Sequence, residues 1–202
     1  MCGDPLSLAD DLILLATGST MQGDVTAALE RFFSRLMEVC PGQGFNNEAD
    51  PDWPSDCEFE AESQPLWRPV RQQTPVDFSG LSNALEVPIH PDIQAFYNSF
   101  WSEHLLARTD EGDLTLLQLW SDKDFDRLRE NIIGHALAKR RLKHDLTVFI
   151  GTTEEAEFFL SIDNQTGCIL LEEPGKPPIK QVEQNIIQFL DRMTPLGPVN
   201  QA

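Results

Sequence analysis

Read as a string of apolar and polar positions, the chain changes period several times, and each change marks an element. Val25, Leu29, Phe32 and Leu36 recur three and four apart, with Phe33 and Cys40 widening the stripe. This predicts a helix that is capped by Asp24 and stopped at Pro41-Gly42. Pro91 suits the first position of another helix, where a missing N–H costs nothing, and Ile93, Phe96, Tyr97 and Phe100 form its apolar face. Residues 104–108 and 114–120 read as strands joined by the turn "DEGD". The second is apolar on both faces (Leu114, Leu116 and Trp120; Leu117 and Leu119), which places it inside a sheet. Ser121 and Asp124 have capping-box spacing, and Phe125, Leu128, Ile132 and Ala136 mark the buried stripe of a helix ending near Arg140. A continuous apolar strand follows at 146–151. "EFFLSID" and "CILLEE" then pair across "NQTG", where Gly167 can take a positive φ. Val182, Ile186, Phe189, Leu190 and Met193 fall on one face of a final helix.

The segments between these elements are less regular. Residues 65–80 are Pro-rich and turn-like, with Trp67 as a buried anchor. Residues 46–62, "NNEADPDWPSDCEFEAE", carry seven acidic residues, two prolines and no basic residue. They read as a solvated loop with a little extended structure, the alternative being an acidic arm anchored by Trp53. Gly134, inside a helix where glycine costs ~1 kcal/mol, is read as a close helix–sheet contact. No linker divides the chain after residue 60 and no repeat is visible. One α+β domain follows, with helices packed on a mixed, mostly antiparallel sheet. In the strand–helix–strand unit at 114–151 the helix is expected to run back along the sheet, making its two strands parallel. Asp122 and Asp124, with Trp120 beside them, would then share one acidic rim with Glu154 and Glu155, and that rim is the candidate partner-binding site.

Charge sharpens the picture. Among 202 residues, 33 acidic side chains face 15 basic ones, a formal charge of −18. Such a chain is repelled by nucleic acid and by anionic lipid and is drawn to basic partners. Against that background "AKRRLKHD", 138–145, gathers Lys139, Arg140, Arg141 and Lys143. Cations there complement the negative end of a helix macrodipole, as Asp122 and Asp124 complement the positive end. The cluster is therefore read first as structural, a basic heel turned away from the acidic rim.

Candidate chemistry is sparse. Cys2, Cys40, Cys57 and Cys168 form no CxxC pair and are read as free thiols of a reducing compartment. His90, His104, His135 and His144 follow no HExxH pattern and are read as structural. There is no GxSxG, P-loop or GxGxxG, so no catalytic residue, metal or cofactor is expected. The run "LILLA" is short of the ~20 residues needed to cross a bilayer. Residues 1–20 are read as an extension or a disordered N-terminus, and 21–202 as the folded unit.

"LTLLQLWSDKDFDRLRENIIGHALAKRRLKHDLTVFIGTTEE", with "WRPV", "IHPDIQAFY" and "NIIQFLDRMTPL", closely resembles the Syd family of SecY-interacting proteins of gamma-proteobacteria, itself similar to the SUKH superfamily. The likeness runs from about Val25 to Leu196, is densest over 114–155, and departs at 40–64 and 1–20. The resemblance implies a SUKH-like, non-enzymatic cytosolic protein. It would reach the cytoplasmic face of the inner membrane by binding basic cytosolic loops of the export channel SecY through an acidic concave surface, regulating or sequestering SecY. An immunity-type inhibitor of a basic toxin is the alternative. A hydrolase using paired carboxylates is a third reading.

Overall fold

The computed structural model describes residues 20–155 and 157–197. In chain order the elements are α1 (Thr20–Val39), β1 (Phe45–Asn46), β2 (Glu58–Ala61), β3 (Gln64–Trp67), β4 (Val70–Arg71), α2 (Ser79–Leu85), α3 (Pro91–Asn98), β5 (Phe100–Trp101) and β6 (Leu105–Thr109). They continue with β7 (Gly112–Leu116), α4 (Asp122–Leu142), β8 (Thr147–Thr153), β9 (Phe159–Asp163), β10 (Ile169–Glu172), β11 (Lys180–Glu183), α5 (Ile186–Arg192) and β12 (Thr194–Pro195). The expected α+β domain with a mostly antiparallel sheet is present.

The main sheet has seven strands in the order β11-β10-β9-β8-β7-β6-β12 and curls into a half-barrel. Every pairing in it is antiparallel. A smaller sheet, β1-β3-β2, is built from the acidic segment and the residues that follow it, and β4 pairs with β5. Alternation divides the two faces of the main sheet. Val148, Ile150, Leu160 and Ile162 are buried in the core together with α1 residues Val25, Leu29 and Phe32, α3 residues Ile93 and Phe96, and α5 residues Phe189 and Leu190. Between them, Thr147, Phe149 and Phe159 point the other way and meet His135 of α4. The predicted α4 stripe is buried throughout: Phe125, Leu128, Ile132 and Ala136. The three large side chains of that stripe, Phe125, Leu128 and Ile132, contribute roughly 1.5–3 kcal/mol each.

Several expectations are corrected. β7 and β8 are antiparallel, with Leu114 opposite Thr153 and Leu116 opposite Gly151. The strand expected at 114–120 stops at Leu116, because the chain then leaves the sheet; Leu119 instead bridges to Trp101, and its carbonyl accepts from Ser102 N–H at 3.0 Å. α4 therefore returns the chain to the sheet end that β7 left, and the crossover rule does not apply. α1 begins at Thr20, so Asp24 lies inside it rather than capping it. Val182 belongs to β11, not to the final helix. Gly134 is exposed, and a Cβ there would meet nothing within 4 Å, so no close contact explains it. Gly167 is required: its φ is +78°, and a Cβ would sit 2.8 Å from Cε1 of His90. The reading of residues 1–20 as an extension lies outside the described residues except at Thr20, which begins α1.

Three of the four histidines are tied into the fold through their rings. His90 caps α3 by accepting from Asp92 N–H at 3.2 Å, His104 accepts from Gln118 N–H at 3.2 Å, and His135 Nε2 bonds the Thr147 hydroxyl at 3.0 Å. Cys40, Cys57 and Cys168 are free thiols, and burial pushes the Cys57 thiol up to about 12.

Candidate functional site

The structure separates the residues expected to share one rim. Because β7 and β8 run in opposite directions, Glu154 lies beside the start of β7, with its N–H 3.4 Å from the Asp113 carbonyl. Asp122 follows the far end of that strand. The exposed carboxylates of Glu154 and Glu155 thus border the β6–β7 turn, while Trp120, Asp122 and Asp124 gather at the N-terminus of α4.

At that helix end the acidic segment is the largely exposed loop with a short strand that was expected, and it is also anchored through Trp53. Trp53 donates its indole N–H to Asp124 at 3.1 Å, and Trp120 donates its own to the Trp53 carbonyl at 2.9 Å. The Ser55 hydroxyl donates to the Trp120 carbonyl, and Lys123 Nζ to the Asp52 carbonyl at 3.0 Å. The Lys123 and Arg127 cations lie 5.2 and 5.6 Å from the Trp53 ring centroid, within cation–π reach. Asp124 also accepts from the N–H groups of Ser121 (3.1 Å) and Trp120 (3.2 Å), completing the expected capping box. Trp120 and Asp124 are therefore fixtures of the fold, and of the three only Asp122 stands exposed.

This rivet holds the arm across a cleft of about 760 Å³ between residues 54–56, residues 73–80 and the first turns of α4. Asp56, Asp77, Asp122 and Asp126 line it, with Arg129 as the only basic side chain, and Arg129 is paired to Asp126 at 3.0 Å. Hydrogen bonds from the Ser79 hydroxyl (2.6 Å) and N–H (2.8 Å) hold the Asp77 carboxyl below the usual carboxylate range. Trp101 and Phe125 supply an apolar part of the wall. A concave surface with several ionised carboxylates and little opposing charge attracts cations and adapts to extended basic chains. Asp56 and Asp77 were missed in the sequence. They stand 45 or more positions before Asp122, so no local pattern joins them.

Lys139 and Arg140 of the basic cluster are tied into the fold. Lys139 is buried and forms an ion pair with Glu172 of β10, which also accepts from the Ser161 hydroxyl. Arg140 donates to the Leu85 carbonyl at the end of α2. Lys143 takes φ 58° as the C-terminal cap of α4. Over 21 residues the helix is ~31 Å long, which sets this cluster well away from Asp122. Among the described residues no helix is long and apolar enough to cross a membrane, and no group of three or more His, Cys, Asp or Glu could hold a metal ion.

Comparison with known proteins identifies relatives of the sequence. The sequence model of the family described as Syd protein (SUKH-2) matches residues 26–195. Protein Syd of Pseudoalteromonas atlantica is 42% identical over 153 residues, covering 73% of this chain and 82% of that protein. Protein Syd of Alteromonas mediterranea is 35% identical over 176 residues, covering 86% and 97%. With a family match across nearly the whole described fold and relatives aligned over most of their length, the chain belongs to the Syd family.

Proposed function

We propose that the chain is a non-enzymatic binding protein that takes basic cytosolic loops of the SecY channel against its acidic surface, chiefly in the cleft at the N-terminus of α4, and so regulates or sequesters SecY. The observation that carries this reading is the charge of the cleft: four carboxylates against one guanidinium that is itself paired. Cytoplasmic loops of membrane proteins are enriched in Lys and Arg, so the complementarity is with that class of segment. Membrane association is then indirect, through the channel, at the cytoplasmic face. The overall charge of −18 supports the same reading by steering basic segments toward the protein from a distance.

The test is binding of synthetic SecY loop peptides, followed by fluorescence anisotropy. Affinity is expected to fall steeply between roughly 50 and 500 mM salt, as the screening length shrinks from about 14 Å to 4 Å. A triple variant, D56K/D122K/D126K, is expected to lose binding while keeping its fold. Equal affinity at both salt concentrations, or full binding by the triple variant, overturns the reading. Co-purification from membranes with and without intact SecY gives the same answer in the cell.

A further inference from the structure

The half-barrel has an opening at the end of β7 remote from the cleft. There the β6–β7 turn, the β8–β9 turn and β11 surround a cavity of about 250 Å³. Its floor is apolar: Leu114, Leu160 and Phe189 belong to the core, with exposures of 7%, 3% and 1%. Its rim is acidic: Glu111, Asp113, Glu154 and Glu155 face one cation, Lys180. Two of those carboxylates are matched inside the fold, Asp113 by Arg108 at 2.7 Å and Glu111 by Arg192 at 3.0 Å. Glu154 and Glu155 are exposed and form no ion pair within 4 Å among the described residues, the Arg108 charge acting on Glu154 only from farther off. Fixed negative charge at the mouth of an apolar, low-dielectric recess attracts a cation more strongly than the same charge on an open surface.

The volume lies below the ~300 Å³ from which small-molecule sites begin, and it suits a side chain rather than a metabolite. A long basic side chain matches both parts of the site: its aliphatic stem covers the apolar floor and its charged head stays at the wet rim. Residues 1–19 and 198–202 do not supply that chemistry: the first contain Asp4, Asp10 and Asp11 and no Lys or Arg, the second no charged side chain. We propose that this throat is a second, separate contact for the partner: an anchor pocket that takes one Arg or Lys side chain, flanked by an apolar residue, with the cation held by Glu154 and Glu155. The inference rests on the reading that the partner is a basic polypeptide, but it assigns a different site.

The experiment uses the full chain with labelled Leu and Val methyl groups and the probe peptide acetyl-Gly-Leu-Arg-Leu-Gly-amide, observed by NMR. Titration is expected to shift the Leu114, Leu160 and Val182 methyl signals. The same peptide with neutral citrulline in place of arginine is expected to leave them unmoved. E154Q/E155Q is expected to weaken the arginine peptide roughly tenfold, as for removal of close charge pairs. V182F, which fills the throat without touching the rim, is expected to block binding there. Equal shifts with citrulline, or unchanged affinity in E154Q/E155Q, overturns the proposal. If E154Q/E155Q also leaves SecY loop peptides bound as tightly as before while D56K/D122K/D126K releases them, the anchor pocket fails and the acidic-cleft reading stands. If neither the probe nor any loop peptide binds the native chain, both fail.

Discussion

Lys139 sits in the last turn of α4 among three other cations, yet only 7% of its side chain is exposed, and its Glu172 partner shows 1%. Burial alone would push the Glu172 carboxyl up. Hydrogen bonds from Lys139, Ser161 and Thr147, and the Lys139 charge, outweigh it and hold the group below the usual glutamate range. Removing one member of a buried pair strands the other, so Lys139→Met is expected to cost about 3–5 kcal/mol. The double variant Lys139→Met/Glu172→Leu is expected to recover most of that loss, as read by urea unfolding of the four corners of the cycle. His135 belongs to the same cluster. Burial chiefly, and the Lys139 charge secondarily, lower its pKa, while Glu172 pulls it back up. A histidine with a lowered folded pKa binds its proton more readily when unfolded. Stability linked to it is complete above the unfolded value of about 6.5 and is lost as pH falls from there toward the folded value. Falling pH also relieves repulsion in so acidic a chain, so the difference between variants is the informative quantity. The melting temperature of His135→Gln is expected to fall less than that of the native chain between pH 7 and mildly acidic pH. An equal fall in both shows that His135 does not carry the linkage.

At the scale of an element, the first turn of α4 performs two tasks with neighbouring carboxylates. Asp124 binds backbone N–H groups and the Trp53 indole, whereas Asp122 faces solvent beside the cleft. Asp124→Ala is expected to cost about 2 kcal/mol, in the range for hydrogen bonds to a charged group. It is also expected to free the arm, detectable as faster proteolysis within residues 46–56. Asp122→Ala is expected to change stability by less than about 1 kcal/mol, the size of a helix-terminus charge effect, while weakening loop-peptide binding. The reverse pairing of effects would mean that Asp124, not Asp122, contacts the partner. α4 is polarised as the sequence suggested, and Lys139 and Arg140 at its basic end are engaged with β10 and the end of α2.

Across the whole molecule, the charge of −18 acts over distances longer than any hydrogen bond. On the proposed function, its effect belongs mainly to the approach of the basic partner, since long-range attraction speeds encounter while short-range contacts set residence time. Stopped-flow association with a SecY loop peptide is expected to slow by roughly tenfold or more from low to high salt, with a much smaller change in the dissociation rate. A dissociation rate that carries most of the salt effect would place the charges inside a desolvated contact instead.

The sequence by itself determined the buried stripes of α1 and α4, that of α3 except for Phe100, which the fold places in β5, the capping box at Ser121, the β9–β10 hairpin and the α+β class. These follow from periods and turn residues that act over a few positions. Family membership was legible for a similar reason, since the characteristic wording is contiguous over 114–155. Only the tertiary structure decided that β7 and β8 are antiparallel, because strand direction depends on where 117–120 goes after leaving the sheet. That one fact splits the acidic residues between two openings. It also took the folded chain to show Lys139 buried against Glu172, 33 positions away, and Trp53 riveted to Asp124, 71 positions away. A charge or an indole looks the same in the sequence whether it meets water or a distant partner; which it meets is set by contacts between segments that no local pattern encodes.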